Sequence, residues 1–206
     1  MPVRYTAAEI ARKYDSIAVR YDRAERVADR FLFARLRRDL FSRARGDLLE
    51  VAAGTGRNFE YYPPGCRITA IDISQGMLDI ARRRADELGL AVDFQRMDGA
   101  ALDFPNDHFD TITSSLSTCT FPDPLAVLRE MRRVCKPDGR ILLLEHGRSR
   151  VRFIGRLQDR FADRQVRAIG CHWNREPHKM IEQAGLRFVS DQTHLFGVVH
   201  VVEAMP

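Results

Sequence analysis

Short apolar runs alternate with amphipathic segments along most of the chain, and each kind of segment predicts a different element. Runs of about four to eight apolar or alternating residues predict strands, whereas apolar residues at every third or fourth position predict helices. Ser74 and Asp123 are typical helix N-caps, and Gly89 is a typical helix end. This alternation of strands and helices predicts a doubly wound α/β sheet. The central predicted strands are residues 47–51, 67–72, 91–97, 109–116 and 140–145.

Both ends of the chain depart from this simple alternation. In the N-terminal part the pattern predicts two helices before the first strand. In the C-terminal part it predicts two helices followed by a hairpin of two strands. The hairpin turns at Phe196 and Gly197. These additional elements are predicted at residues 6–23 and 27–44, at 151–169 and 176–183, and at 186–195 and 198–203.

Two of these helices carry an apolar face opposite a row of arginines. On the helix at 151–169 arginines recur at every fourth position, from Arg152 through Arg156 and Arg160 to Arg164. The apolar faces are Val27, Phe31, Leu32, Leu36, Leu40 and Phe41 on the first helix, and Phe153, Ile154, Leu157 and Phe161 on the second.

Length and composition favour one globular domain over residues 1–206, because 45% of the residues are apolar and the core is ample. No apolar run approaches the ~18 residues of a membrane span, and residues 1–14 lack the apolar region of a signal peptide. A cytoplasmic location is therefore expected. The net charge of +5 is due mainly to arginine. It predicts either solvated helix faces or peripheral contact with an anionic membrane.

The four cysteines Cys66, Cys119, Cys135 and Cys171 form no C-x-x-C pair, so they are expected to be reduced thiols. No spacing of ligand residues indicates a metal site, and none is predicted.

The turn after the first strand is the strongest candidate for a ligand site. The strand at 47–51 leads into a small-residue turn with Gly54 and Gly56, and the second strand ends in Asp72. Small residues let a ligand approach the backbone, and an acid after the second strand can bind both ribose hydroxyls. The third glycine of a dinucleotide fingerprint is missing. Glu50 favours a cationic ligand such as a sulfonium, or it orders the turn by accepting backbone N–H bonds.

Several ordered segments resemble the class I S-adenosylmethionine-dependent methyltransferases. The resemblance covers roughly residues 10–147 and implies a Rossmann-like seven-stranded sheet in the order 3-2-1-4-5-7-6, its last strand antiparallel. It also implies an N-terminal helical lid at 1–45, a cofactor-binding core at 46–147, and acceptor-side helices with the hairpin at 148–206. Ala52 replaces a common glycine, so a negative φ is expected there. The matching segments are residues 50–56, 70–78, 97–100, 104–110 and 128–140.

The resemblance implies S-adenosylmethionine as cofactor and assigns residues to each part of it. The methionine end is expected at the first turn, the ribose at Asp72, and the adenine between Ile73 and Met77. Asp98 is expected to accept from the adenine amine or to cap its own turn. The full set is Tyr14, Tyr21, Glu50, Ala52, Gly54, Gly56, Asp72, Ile73, Met77, Asp98, Gly99, Ser114 and Ser115.

Residues 13–22 resemble the N-terminal segment of ubiquinone and menaquinone C-methyltransferases, which lies over the cofactor as a lid. Tyr14 and Tyr21 lie seven positions apart on one helix face, where they could contact the sulfonium or pack ordinarily. Tyr21 and His146 are the candidate catalytic residues, because His146 follows the fifth strand at the ligand edge. The acceptor-pocket candidates are His146, Cys171, Trp173, Asn174 and Arg175, although Trp173 could instead anchor a helix.

The segments 144–149 and 170–175 together resemble bacterial phosphatidylethanolamine N-methyltransferases and animal thiol S-methyltransferases. A small or amphiphilic methyl acceptor is therefore expected: a lipid amine, a thiol or a quinone-like ring. The alternative is a peripheral membrane or assembly factor that binds the cofactor without turnover. A nucleic-acid partner is disfavoured because no aromatic and basic stacking platform is found. The sequence leaves the oligomeric state open.

Overall fold

A computed structural model describes residues 5–206, except the side chains of residues 24–28 and 30. Its centre is one seven-stranded sheet in the order β3-β2-β1-β4-β5-β7-β6, which confirms the predicted fold class. Strands β1 to β5 pair in parallel, whereas β7 is antiparallel to both β5 and β6. The strands are β1 Asp47–Val51, β2 Arg67–Asp72, β3 Val92–Arg96, β4 Phe109–Ser115, β5 Cys135–His146, β6 Arg187–His194 and β7 Val199–Met205.

Helices cover both faces of the sheet, and the predicted caps are observed. Ser74 Oγ accepts from Met77 N at 3.2 Å, and Asp123 Oδ1 accepts from Ala126 N at 3.0 Å. Gly89 ends its helix with φ 66°. The helices are α1 Ala7–Ala28, α2 Ala34–Phe41, α3 Gln75–Leu88, α4 Pro124–Val134, α5 Arg152–Ile169 and α6 Pro177–Gln183, with a single 3₁₀ turn at Phe59–Tyr61.

The N-terminal helices differ from the prediction. A π-helical turn, Asp29–Phe33, joins α1 directly to α2, so the two form one continuous rod. A π turn inserts an extra residue and so interrupts the regular helical spacing on which the predicted apolar face depends. Phe31 and Leu32 lie within this turn and are 78% and 50% exposed, whereas Leu40 and Phe41 of α2 are buried. The side chain of Val27 lies outside the described residues.

Two apolar clusters flank the sheet, because successive strand residues point to opposite faces. Leu49 of β1 packs in the cluster that contains α4 and α6, while Leu48 packs in the one that contains α2 and α3. β5 begins at Cys135, earlier than predicted, because Cys135 pairs with Phe109 of β4. The register then shifts, and regular pairing resumes between Arg140 and Thr111. The carboxyl ends of the parallel strands share one edge.

Helix α5 presents its large apolar residues to solvent. Phe153 is 76% exposed, Leu157 47% and Phe161 39%, whereas the buried positions are Gly155, Gln158 and Val166. The side that packs on the protein is thus made of small and polar residues. Within residues 5–206, no helix combines the length and the apolar character that crossing a bilayer requires.

Candidate active site

A cleft opens at the carboxyl edge of the sheet, where the turns after β1, β2 and β4 meet helix α1. It encloses about 960 Å³, including its mouth. The residues that line it include Tyr14, Tyr21, Arg37, Ala52, Gly54, Asp72, Ile73, Met77, Asp98, Gly99, Ser115, Leu116 and Ser117.

The turn after β1 exposes its backbone to the cleft. Gly54 has φ 56°, and a Cβ added there would meet no atom within 4 Å. Ala52 also has a positive φ, 55°, so the expected negative φ was wrong. The turn requires the left-handed region at this position, and alanine adopts it at a cost that glycine would avoid.

Asp72 connects this turn to the next one. Its Oδ2 accepts from Gly54 N at 2.9 Å and its Oδ1 from Ser74 N at 2.8 Å. Burial raises the pKa of the carboxyl to about 6, against the effect of these backbone donors. A carboxylate has about four acceptor positions, so it can hold the turns and still bind ligand hydroxyls.

The adenine side predicted from the sequence also lies on the cleft wall. Ile73, Met77 and Gly99 line it together with Asp98. Asp98 Oδ1 accepts from Ala100 N at 2.9 Å, so this acid caps its turn while it lines the cleft.

Glu50 lies beneath the turn, fully buried, and is not part of the cleft lining. Its oxygens accept from Asn58 Nδ2 at 2.7 Å and from the Tyr62 hydroxyl at 2.9 Å. Burial raises its pKa to about 7, although both donors lower it. This position fits the interpretation in which Glu50 orders the turn better than the interpretation in which it contacts a cationic ligand. The groups that donate to Glu50 are side chains, however, and not the backbone N–H groups that we expected.

Arg37 is a cleft residue that sequence analysis missed. Its Nε donates to Asp29 Oδ1 at 2.6 Å, and its Nη1 donates to Ser115 Oγ at 2.7 Å and also to Asn58 Oδ1. The guanidinium is almost completely buried on α2. Arg37 lies in no recognisable motif. The one feature that could have identified it as a site residue is its position on the otherwise apolar inner face of its helix.

Two of the predicted cofactor residues, Ser114 and Gly56, are not part of the cleft lining. Ser114 is buried, and its Oγ donates to Val51 O at 2.8 Å, because neighbouring residues of β4 face opposite sides. Gly56 has φ 74°, and a Cβ added there would collide with the Phe59 ring. Ser115 therefore faces the cleft, while Gly56 permits the close approach of Phe59.

Both tyrosines of α1 line the cleft, with ring centroids 5.8 Å apart in an edge-to-face arrangement. Burial raises the pKa of Tyr14 well above its usual value. Helix α1 is fixed to the start of α3 through Asp15, whose Oδ1 accepts from Ser74 Oγ at 2.6 Å and from Gly76 N at 2.9 Å.

The acceptor-side candidates divide into two groups. His146 and Cys171 meet, with 3.5 Å between Nε2 and Sγ, and Cys119 joins them. Because Cys119 hydrogen-bonds to Cys171 and His146 lies beside it, the pKa of Cys171 is lowered, while that of Cys119 is raised. None of these three belongs to the lining of the cleft.

The other three candidates hold α5 and a neighbouring loop. Trp173 Nε1 donates to Gln158 O at 2.9 Å, and Asn174 Nδ2 donates to Asp159 Oδ1 at 3.1 Å. Trp173 thus anchors the helix, as the alternative interpretation stated. Arg175 donates to Phe121 O at 2.8 Å and lines a second cavity, beside the cleft.

The chain resembles known methyltransferases over much of its length. The family described as "Methyltransferase domain" matches residues 49–143. A demethylmenaquinone methyltransferase of Paenarthrobacter aurescens is 31% identical over 91% of this chain and 75% of its own length. The chain belongs to the class I S-adenosylmethionine-dependent methyltransferases. This confirms the family predicted from the sequence, and membership implies S-adenosylmethionine as the cofactor.

Two further relatives are matched over only about half of their own length. The mitochondrial methyltransferase OMS1 of Saccharomyces cerevisiae is 32% identical over 88% of this chain and 43% of its own length. A phosphatidylethanolamine N-methyltransferase of Cereibacter sphaeroides is 37% identical over 49% of this chain and 51% of its own length. The chain therefore spans about half the length of these two relatives.

Proposed function

We propose that this chain transfers a methyl group from S-adenosylmethionine to an amphiphilic acceptor, a lipid amine, a thiol or a quinone-like ring, that it meets at an anionic membrane surface. The observation that carries the transferase assignment is the cleft in which Asp72 and the open backbone of Gly54 face an apolar wall. The named acceptors of two relatives, phosphatidylethanolamine and demethylmenaquinone, support the amphiphilic class.

The residues of the cleft fit this cofactor. Asp72 would accept from the ribose hydroxyls, and Ile73 and Met77 would pack on the adenine. Asp98 would accept from the adenine amine. Arg37 replaces Glu50 as the group for the methionine end, where its guanidinium would pair with the carboxylate. When bound, the cofactor supplies a methyl carbon already activated by the sulfonium.

The chain's own contribution to transfer is alignment and exclusion of water. Tyr14 and Tyr21 cover the cleft from α1 and present ring faces or edges that suit a sulfonium. A general base is needed only for an acceptor that arrives protonated. His146 would serve there only through a rearrangement, since it is not part of the cleft lining and contacts Cys171.

The exposed face of α5 supports contact with a membrane. Phe153, Leu157 and Phe161 project outward next to the stripe of arginines from Arg152 to Arg164. An interfacial helix needs this combination, with apolar side chains in the acyl region and arginines at anionic headgroups. The charge of the stripe favours an anionic bilayer over a protein partner. The exposed hairpin tip, Leu195 and Phe196, lies beside the start of α5 through Ser149 Oγ, which donates to Phe196 O at 2.7 Å.

Transfer of labelled methyl to amine, thiol and quinol acceptors tests this function. Each acceptor is supplied in anionic vesicles, in zwitterionic vesicles and in solution. We expect turnover of one acceptor class, fastest with anionic vesicles and reduced by salt. Binding of S-adenosylhomocysteine and of anionic vesicles without turnover would favour the alternative of a non-catalytic peripheral factor. Equal rates in all three settings would contradict the membrane part of the proposal.

A further inference from the structure

Three side chains that could ligate a metal converge from separate parts of the chain, outside the lining of the cleft. Cys119 lies in the loop after β4, His146 ends β5, and Cys171 follows Gly170, the C-cap of α5. Their ligand atoms all lie within 4.8 Å of one another, and Cys171 Sγ is 3.5 Å from His146 Nε2. Both cysteines are buried.

The backbone around the cluster is tightly held. His172 N donates to Cys119 O at 2.8 Å, which ties the two cysteine segments together. Arg175 bonds the carbonyls of Thr118 and Phe121 on either side of Cys119. Arg148 N donates to Arg175 O at 2.7 Å, which links the end of β5 to the same loop. The three ligand segments are therefore fixed relative to one another before any ion binds.

We propose that Cys119, His146 and Cys171 bind one divalent cation of the zinc class. Two thiolates and an imidazole are the ligands that zinc prefers, and three protein ligands with one further position are typical of a catalytic rather than a structural zinc site. The proposal stands on the cluster alone and does not depend on the proposed function.

The geometry needs only a small adjustment. In a tetrahedral site with ordinary zinc bond lengths, neighbouring ligand atoms are separated by about 3.5 to 3.8 Å. The 3.5 Å between Cys171 and His146 already fits, and the separations to Cys119 are at most 4.8 Å, so shifts of about 1 Å would close the site. A hard cation such as Mg²⁺ is disfavoured because it prefers oxygen ligands and the carboxylate of the neighbouring Glu145 is occupied. Its carboxylate accepts from Ser117 Oγ at 3.1 Å and Thr118 Oγ1 at 2.7 Å.

Titration with Co²⁺ tests the site without any assay of activity. The full chain is purified under a phosphine reductant, stripped of metal and titrated. We expect one equivalent of Co²⁺ to produce a thiolate-to-cobalt charge-transfer band and the intense visible bands of tetrahedral cobalt, and one equivalent of Zn²⁺ to abolish both. Weak octahedral bands alone, or no charge transfer with the thiols fully reduced, would overturn the proposal.

Variants assign the ligands. Cys119→Ser and Cys171→Ser should each weaken Co²⁺ binding by more than about 100-fold, because even the loss of a group that only orients a metal ligand costs about 10- to 100-fold. His146→Gln should weaken binding while it retains the charge-transfer band. Cys66→Ser, distant in the sequence and half-buried, is the matched control and should bind as the wild type does. Circular dichroism checks that each variant is folded. A charge-transfer band that forms with wild-type affinity and intensity in both Cys119→Ser and Cys171→Ser would contradict the assignment, and the wild-type titration decides the question if a variant does not fold.

Discussion

The two halves of the sheet's carboxyl edge carry different chemistry. On the side of β1, β2 and β4, carboxylates and one guanidinium form a buried network from Asp29 through Arg37 and Asn58 to Glu50. On the side of β5 and α5, thiols and an imidazole form the buried cluster, and apolar side chains face solvent. The first half is organised to hold one polar ligand. The second half combines the thiol and imidazole cluster with an exposed apolar surface, and neither feature identifies the methyl acceptor.

The largest effect is expected where the polar network is most deeply buried. Arg37→Ala leaves Asp29 as an uncompensated buried charge, so we expect a loss of about 3–5 kcal/mol in the free energy of unfolding. Denaturant unfolding measures it. Arg35→Ala on the same helix breaks only an exposed pair with Asp39 and should cost less than about 1 kcal/mol. Equal losses of unfolding free energy in the two variants would contradict the view that the buried network contributes more to stability than an exposed ion pair.

Asp72→Ala tests the ribose assignment. Removal of hydrogen bonds to a charged group should cost about 2–3 kcal/mol of binding free energy, or roughly 30- to 150-fold in the Kd for S-adenosylhomocysteine. Calorimetry measures the affinity. Asp79→Ala, an exposed acid on α3, is the control and should bind normally. An unchanged Kd for Asp72→Ala would reject the assigned pose.

Phe153→Ser tests whether the exposed apolar face of α5 contacts a membrane. Loss of one inserted aromatic should weaken binding to anionic vesicles by about tenfold or more, since burial of such a side chain is worth about 1.5–3 kcal/mol. Stability should change little because Phe153 is exposed. Co-sedimentation measures the partition. Leu88→Ser, exposed at the end of α3 and outside the arginine stripe, is the control. A similar decrease in both variants would show that the α5 face is not the contact.

Cofactor affinity should depend on pH through Asp72. Because burial raises its pKa to about 6, the carboxyl is protonated below that pH and ionised above it. Ribose hydroxyls donate to the ionised form, so affinity should be constant well above pH 6 and fall by up to about tenfold per pH unit below it. Calorimetry across this range measures the profile. Asp72→Asn should bind weakly and show a flat profile; a fall that persists in this variant would place the titration elsewhere.

The smallest effect concerns the turn itself. Ala52 has a positive φ, so Ala52→Gly should relieve strain and raise the free energy of unfolding by about 0.5–1 kcal/mol. Ala53→Gly, one residue later, removes a buried methyl without such relief and should destabilise the protein. Thermal or denaturant unfolding of both variants gives the sign. Destabilisation by Ala52→Gly would mean that the turn carries no strain.

The turns on the side of β1, β2 and β4 could be predicted from the sequence because each is set by a short contiguous motif. Strand runs, caps and the sequence from Glu50 to Gly56 set the turn, and β2 places Asp72 beside it. The same local reasoning failed where position depends on tertiary packing. Both Ser114 and Ser115 were predicted at the cofactor, but side chains alternate along β4 and only Ser115 lines the cleft. Phe31 and Leu32 were predicted on a regular helical face, but they lie in a π turn.

The cluster of Cys119, His146 and Cys171 could not be predicted from the sequence, since it joins a loop, the end of β5 and the segment after α5, which only the completed fold brings together. Arg37 also depends on the fold, because its three partners come from three separate segments. Residues 151–169 were predicted as a helix with the correct stripe, but the sequence could not say which side packs, because the packing side is made of Gly155, Gln158 and Val166.

Calorimetric titration of the wild-type chain with S-adenosylhomocysteine, and in parallel with a nicotinamide dinucleotide, tests the central claim most directly. The account predicts saturable binding of one equivalent of S-adenosylhomocysteine and no binding of the dinucleotide. Absence of any heat with saturating S-adenosylhomocysteine, or saturable binding of the dinucleotide in its place, would contradict it.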